Sequence, residues 1–93
     1  MILEIVSPES KLFHGEVTSV SLPGVEGSFQ VLNQHAPIVS TLKEGVIKIG
    51  AAAFNFDKEV ADKFSKVDNQ TYMLKISSGT IEMKANKMIV LVD

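Results

Sequence analysis

Ninety-three residues, 45% apolar and 22% charged, have the balance of one ordinary globular domain and leave no room for a second. The absence of cysteine excludes disulfides, and nine Lys against eleven Asp plus Glu leave a net charge of −2 with no run of one sign. That distribution excludes the cationic strip that nucleic acid or anionic lipid would need, and all nine cations are Lys, so no bidentate guanidinium clamp is on offer. The longest apolar stretch, Met88 to Val92, is far short of the ~20 residues that cross a bilayer, and the N-terminus has no charged-then-apolar signal pattern. A chain that is neither inserted in a membrane nor exported is the expectation.

In chain order, Leu3 and Ile5 flank Glu4, and Pro8 removes an amide donor and restricts Ser7, so a first strand spans about Ile2 to Ser7. The apolar parity changes between Val17 and the pair Val20 and Leu22, which predicts a β-bulge there. Pro23-Gly24-Val25-Glu26-Gly27 has turn chemistry, since Pro presets φ and the glycines accept positive φ. Phe29 and Val31 open the next strand. Asn33-Gln34-His35-Ala36-Pro37 reads as a loop, Ile38 to Leu42 as an apolar strand, and Lys43-Glu44-Gly45 as a hairpin link into Ile47 and Ile49. Residues 51–70 contain no Gly or Pro. Phe54-Asn55-Phe56 fits a strand, whereas Val60, Ala61, Phe64 and Val67 share a helical face with Asp57 available as N-cap, so a short helix within 57–67 and a long hairpin connection both fit. Beyond it, Tyr72, Leu74 and Ile76 alternate with Met73 and Lys75, Ile81 and Met83 alternate with Glu82 and Lys84, and Met88 to Val92 forms a last strand. Eight or more short strands must close on themselves or split into two packed sheets to avoid open edges, so the expected fold is all-β, a flattened antiparallel sandwich or barrel formed by residues 1–93 as one domain.

Catalytic chemistry finds little to work with. His14 and Glu16 would share a strand face, and with His35 they could make a facial ligand set, but two histidines without cysteine read more simply as a solvated strand residue and a loop residue. The serines lack a nucleophile-elbow context, and the turn over residues 23–27 lacks both the Lys-Ser/Thr ending and the helix of a phosphate loop. No catalytic residue, cofactor or metal is expected, and neither ATP nor ADP should bind. Function then lies in a surface, or, as the second reading, in a free-standing small β-barrel that binds a metal or small ligand through His14, Glu16 and His35.

Between residues 23 and 37 the order and spacing of Leu22-Pro23-Gly24, Glu26-Gly27, Phe29, Val31-Leu32 and His35-Ala36-Pro37 cease to be generic. With Val6-Ser7-Pro8-Glu9, Gly15-Glu16-Val17, Gly45-Val46-Ile47-Lys48-Ile49 and Ser78-Gly79-Thr80-Ile81-Glu82-Met83, this set resembles the N-terminal β-sandwich domain of the epsilon subunit of F-type rotary ATP synthases, over residues 1–50 and 71–93. The resemblance implies a non-catalytic rotor piece of the central stalk, touching the gamma subunit and the ring of c subunits, peripheral on the cytoplasmic face of the inner (plasma) membrane and coupling proton flow to ATP synthesis. It matches Glu26-Gly27-Ser28 to the ring-facing loop, where an acidic residue is common at the place of Ser28. It matches Asn33, Gln34 and His35 to a neighbouring lower loop near gamma and the ring, with Asn33-Gln34 in place of the usual Pro-Gly. For His35, a backbone-bonded loop residue fits as well as a partner contact. Family members commonly continue into a C-terminal helical hairpin that regulates the motor and in some cases binds ATP, whereas this sequence stops at Asp93, so the resemblance carries over the sandwich without the hairpin.

Overall fold

The computed structural model describes residues 1–93. Ten strands follow one another: β1 (Ile2–Val6), β2 (Lys11–Glu16), β3 (Ser19–Gly24), β4 (Gly27–Leu32), β5 (Ile38–Leu42), β6 (Gly45–Gly50), β7 (Phe64–Asp68), β8 (Thr71–Ile76), β9 (Gly79–Lys84) and β10 (Lys87–Val92). They form one sheet in the order β2-β1-β10-β9-β5-β3-β6-β8-β7, with β4 added to β3. The sheet is thinnest where β5 meets β3 through the single pair Gly24 and Leu42. There it divides into two five-stranded halves, β2-β1-β10-β9-β5 and β4-β3-β6-β8-β7, which is the expected flattened all-β sandwich.

Period-two patterning directs the burial. Leu3 and Ile5, Val20 and Leu22, Ile47 and Ile49, Leu74 and Ile76, Ile81 and Met83, and Met88, Val90 and Val92 all point between the halves. They belong to a core of 22 buried side chains, every one of them apolar. Removing a methyl-bearing side chain of this kind from water stabilises by about 1.5–3 kcal/mol, so the alternation alone selects which face of each strand turns inward.

Four local expectations change. The parity shift after Val17 is not a bulge: the chain leaves β2, which pairs with β1, and crosses at Val17–Thr18 to β3, which pairs with β4 and β6. A change of sheet half produces the same sequence signal as an inserted residue. Lys43-Glu44 does not close a hairpin either, because β5 pairs with β9 whereas β6 pairs with β3 and β8. The ladder is not purely antiparallel, since β1 and β10 run parallel from Ile2 beside Lys87 to Val6 beside Leu91. The helical face at 60–67 is not formed: only a single 3-10 turn appears, Ala61–Lys63, followed by β7 along β8. Val60 and Phe64 are buried but Ala61 and Val67 are exposed, and Asp57 contributes its backbone carbonyl, accepting from the amides of Val60 and Ala61, rather than a side-chain cap. Pairing with the otherwise open edge of β8 outweighs a weak local helix preference.

The remaining part of 51–70 closes the side of the sandwich. Phe54 and Phe56 lie between the end strands β2 and β7, with the Phe56 ring 5.7 Å from Phe13 and 4.5 Å from Phe64. Tyr72 completes the cluster, 4.6 Å from Phe54 and 4.9 Å from Phe56. Five aromatic rings thus fill a gap that backbone hydrogen bonds do not bridge.

Candidate functional site

The β3–β4 hairpin holds both sequence-predicted loops. Gly24 pairs with Gly27, leaving a two-residue turn of Val25 and Glu26. Gly27 has φ +130°, a conformation that side chains other than glycine's rarely tolerate. The turn is fastened sideways: the Val25 amide donates to the Thr41 carbonyl at 3.1 Å and the Lys43 amide to the Pro23 carbonyl at 2.9 Å. Glu26 and Ser28 are left exposed on a backbone that cannot move freely.

Asn33, Gln34 and His35 lie at the other end of β4. Asn33 Oδ1 accepts from the Met1 amino group at 2.5 Å, and the Gln34 amide, at φ 63°, donates to Asn86 Oδ1 at 2.8 Å. His35 Nδ1 is 2.7 Å from the carbonyl oxygen of Ala36, and its amide donates to the Leu32 carbonyl, which makes it the backbone-bonded loop residue of the simpler expectation. The two loops are therefore not neighbours. Six residues of β4 separate them, about 20 Å at the usual strand rise.

One surface escaped the sequence reading. Cross-strand registers place Val39, Glu82, Ile89 and Glu4 in one outward row of the β5-β9-β10-β1 half, and Thr41, Thr80, Leu91 and Val6 in the next. Val39 is 76% exposed and Leu91 52%, while Ile89 and Val6 are half-buried. A hollow of about 530 Å³ opens beside them between Val6, Leu42 and Val92, with the Ser78 hydroxyl bonded to the Asp93 carboxylate on its rim. The sequence signal was available: a strand with water on one face needs only Met88, Val90 and Val92, so Ile89 and Leu91 are surplus to the core. Glu4 borders the patch, and the Lys11 ammonium, hydrogen-bonded to it at 3.0 Å, holds its carboxyl below the usual carboxylate value.

Nothing resembles an active centre. No buried polar or charged side chain exists to be tuned by its surroundings, and no three side chains among His, Asp and Glu come together as ligands. His14 and Glu16 are both exposed on β2, and His35 is not brought to them, so the metal-binding alternative has no site.

A sandwich with a purely apolar core, exposed turns hydrogen-bonded to neighbouring chain and an outward-facing apolar strip has the features of a binding or coupling module. The family described as the ATP synthase delta/epsilon chain β-sandwich domain matches residues 1–61, and the chain belongs to it. That match extends past residue 50, where the first run of sequence motifs ends, and stops short of the second run over residues 71–93. The ATP synthase epsilon chain of Chlorobium limicola is 33% identical over 91 residues, 98% of this chain and 86% of that one. The epsilon chain of Campylobacter concisus is 36% identical over 91 residues, covering 59% of its own length. That of Campylobacter jejuni subsp. doylei is 49% identical over 67 residues, covering 71% of this chain and 52% of the relative. This chain thus spans most of the Chlorobium limicola relative and little more than half of the Campylobacter ones. Among solved structures, a chain of the central stalk and c-ring of Tetrahymena thermophila mitochondrial ATP synthase superposes with TM-score 0.70 at 18% identity, over 99% of this chain and 62% of that chain. A chain of Euglena gracilis mitochondrial ATP synthase superposes at 0.77 with 16% identity, over 99% and 49% respectively. At those identities the likeness establishes the shared fold.

Proposed function

We propose that this chain is a non-catalytic subunit of the central stalk of an F-type ATP synthase, seated between the gamma subunit and the ring of c subunits and turning with them. The supporting observation is the uncovered strip of Val39, Ile89, Leu91 and Val6 on a chain of this family, because a sheet face that is apolar without serving the core is what a permanent neighbour would cover. Gamma occupies that strip. The ring is met by the Glu26-Gly27-Ser28 turn, whose tie to β5 lets it carry torque instead of bending. Asn33, Gln34 and His35, at the far end of β4, contact gamma and not the ring in this arrangement. The ATP synthase is a membrane-associated complex, and the chain sits on its cytoplasmic face without entering the bilayer.

Titrating the protein into the gamma subunit encoded in the same genome, and comparing Val39→Asp and Leu91→Asp with the unaltered chain, tests this. A soluble, folded Val39→Asp variant that no longer binds gamma is the expected result. Unchanged affinity in both variants removes the strip from the interface, and no binding by the unaltered chain removes the stalk assignment.

A further inference from the structure

Three strands pair on one side only: β2, β4 and β7. Open edges invite pairing with foreign strands, and proteins guard against it with charges and register breaks. Two of the three edges are guarded. β7 carries Lys66 and Asp68 with a register shift between them, and β2 carries Lys11, His14 and Glu16, with a shift in its pairing to β1 at Ile5 and Val6. β4 has neither device. Gly27-Ser28-Phe29-Gln30-Val31-Leu32 is uncharged, contains no proline, and keeps an unbroken register with β3 over six pairs.

The direction of its free backbone groups follows from the turn. A two-residue connection makes Gly24 and Gly27 a hydrogen-bonded pair, and strict alternation then makes Leu22 with Phe29 and Val20 with Val31 bonded pairs. Pro23, which has no amide hydrogen, falls opposite Ser28 at a non-bonded position, as this phase requires. The N–H and C=O groups of Ser28, Gln30 and Leu32 therefore point away from β3, and all three residues are exposed; the Leu32 carbonyl is taken by the His35 amide, so the free groups are both of Ser28 and Gln30 and the amide of Leu32. Leu32 adds an apolar side chain, 53% exposed, at one end of the strip.

We propose that the free edge of β4 is a strand-addition site, filled by an extended, uncharged segment of about five residues from the gamma chain, which pairs with the backbone of Ser28 and Gln30 and with the amide of Leu32. This rests on the stalk assignment above. It also explains how two loops about 20 Å apart serve one assembly, since the open edge of β4 is the strip that joins Glu26-Gly27-Ser28 to Asn33-Gln34-His35. The contact is made by main chain, so truncating a side chain on the edge leaves it standing, whereas a charge or a proline placed there blocks it.

The test is amide hydrogen exchange of the complex with gamma, alongside the affinities of Gln30→Ala, Gln30→Lys and Gln30→Pro. The amides of Ser28, Gln30 and Leu32 should exchange rapidly in the free chain and become protected in the complex, while those of Phe29 and Val31 are protected in both. Gln30→Ala should bind within about twofold of the unaltered chain, and Gln30→Lys and Gln30→Pro at least about tenfold more weakly. If Gln30→Pro does not fold, the exchange pattern and Gln30→Lys decide. A complex that forms while the three amides keep exchanging rapidly overturns strand addition and leaves the stalk role standing. Protection that grows with concentration in the chain alone makes a second copy the occupant and overturns the proposal. Failure of any complex to form overturns the stalk assignment, and the occupant named here with it.

Discussion

Phe13 offers the sharpest test of how the sandwich is closed. It is 5% exposed on β2, and its ring lies 6.3 Å from Phe54, 5.7 Å from Phe56 and 6.3 Å from Phe64, so it meets both the plugging segment and β7. Phe13→Ala removes a buried ring that its neighbours cannot fully replace, which costs about 3–5 kcal/mol. Against the ~5–15 kcal/mol that holds a domain of this size together, that is a large share. At ~4–8 °C per kcal/mol the thermal midpoint should fall by at least about 12 °C. Phe56→Ala, at a half-buried ring, should lose less, and because the two rings touch, a double-mutant cycle should return a coupling of about 0.5–1.5 kcal/mol. Urea and thermal unfolding followed by near-ultraviolet circular dichroism measure both. A loss under about 1 kcal/mol for Phe13→Ala, with the denaturant slope unchanged, would refute the claim that the aromatic plug belongs to the cooperative core.

Gly27→Val should destabilise by about 1–2 kcal/mol through strain at φ +130°, read as a lower urea midpoint, since open space around Gly27 leaves conformation as the only cost. Glu26→Lys should leave folding within about 0.5 kcal/mol and instead reduce ATP-driven proton pumping relative to hydrolysis in membranes carrying it; unchanged pumping removes the turn from the ring interface. Ala85→Asn should stabilise by up to about 1 kcal/mol in thermal unfolding, because Ala85 holds φ 52° in the β9–β10 turn and Asn accepts that region more readily. Glu4 has its carboxyl pKa lowered in the folded state by the Lys11 hydrogen bond, so its contribution is present above the unfolded-state value and lost as pH falls through the folded one. Lys11→Met should therefore flatten the acid limb of the stability curve by removing a small contribution at neutral pH that is already absent in acid, so that the two proteins converge as urea titrations run from pH 7 down to 3.

Much was determined by sequence alone, wherever a local rule and the final structure ask for the same thing. Leu74 and Ile76, or Ile81 and Met83, alternate because a half-buried strand must, and Pro23 with Gly27 marks its turn by backbone chemistry. The ordered motifs from Leu22 to Pro37 carried the family, and with it the stalk role, independently of any contact. What tertiary structure decided are the relations between distant segments. Parity after Val17 looks the same for a bulge as for a crossing between sheet halves, and only the partners of β2 and β3 distinguish the two. Val60, Ala61, Phe64 and Val67 satisfy a helical spacing, yet β8 has an edge to be paired, and that long-range bond sets Phe64–Asp68 as a strand. The union of Val39 with Leu91 in one strip follows from register across β5, β9 and β10. Register is a property of pairs of strands, so no window along a single chain contains it.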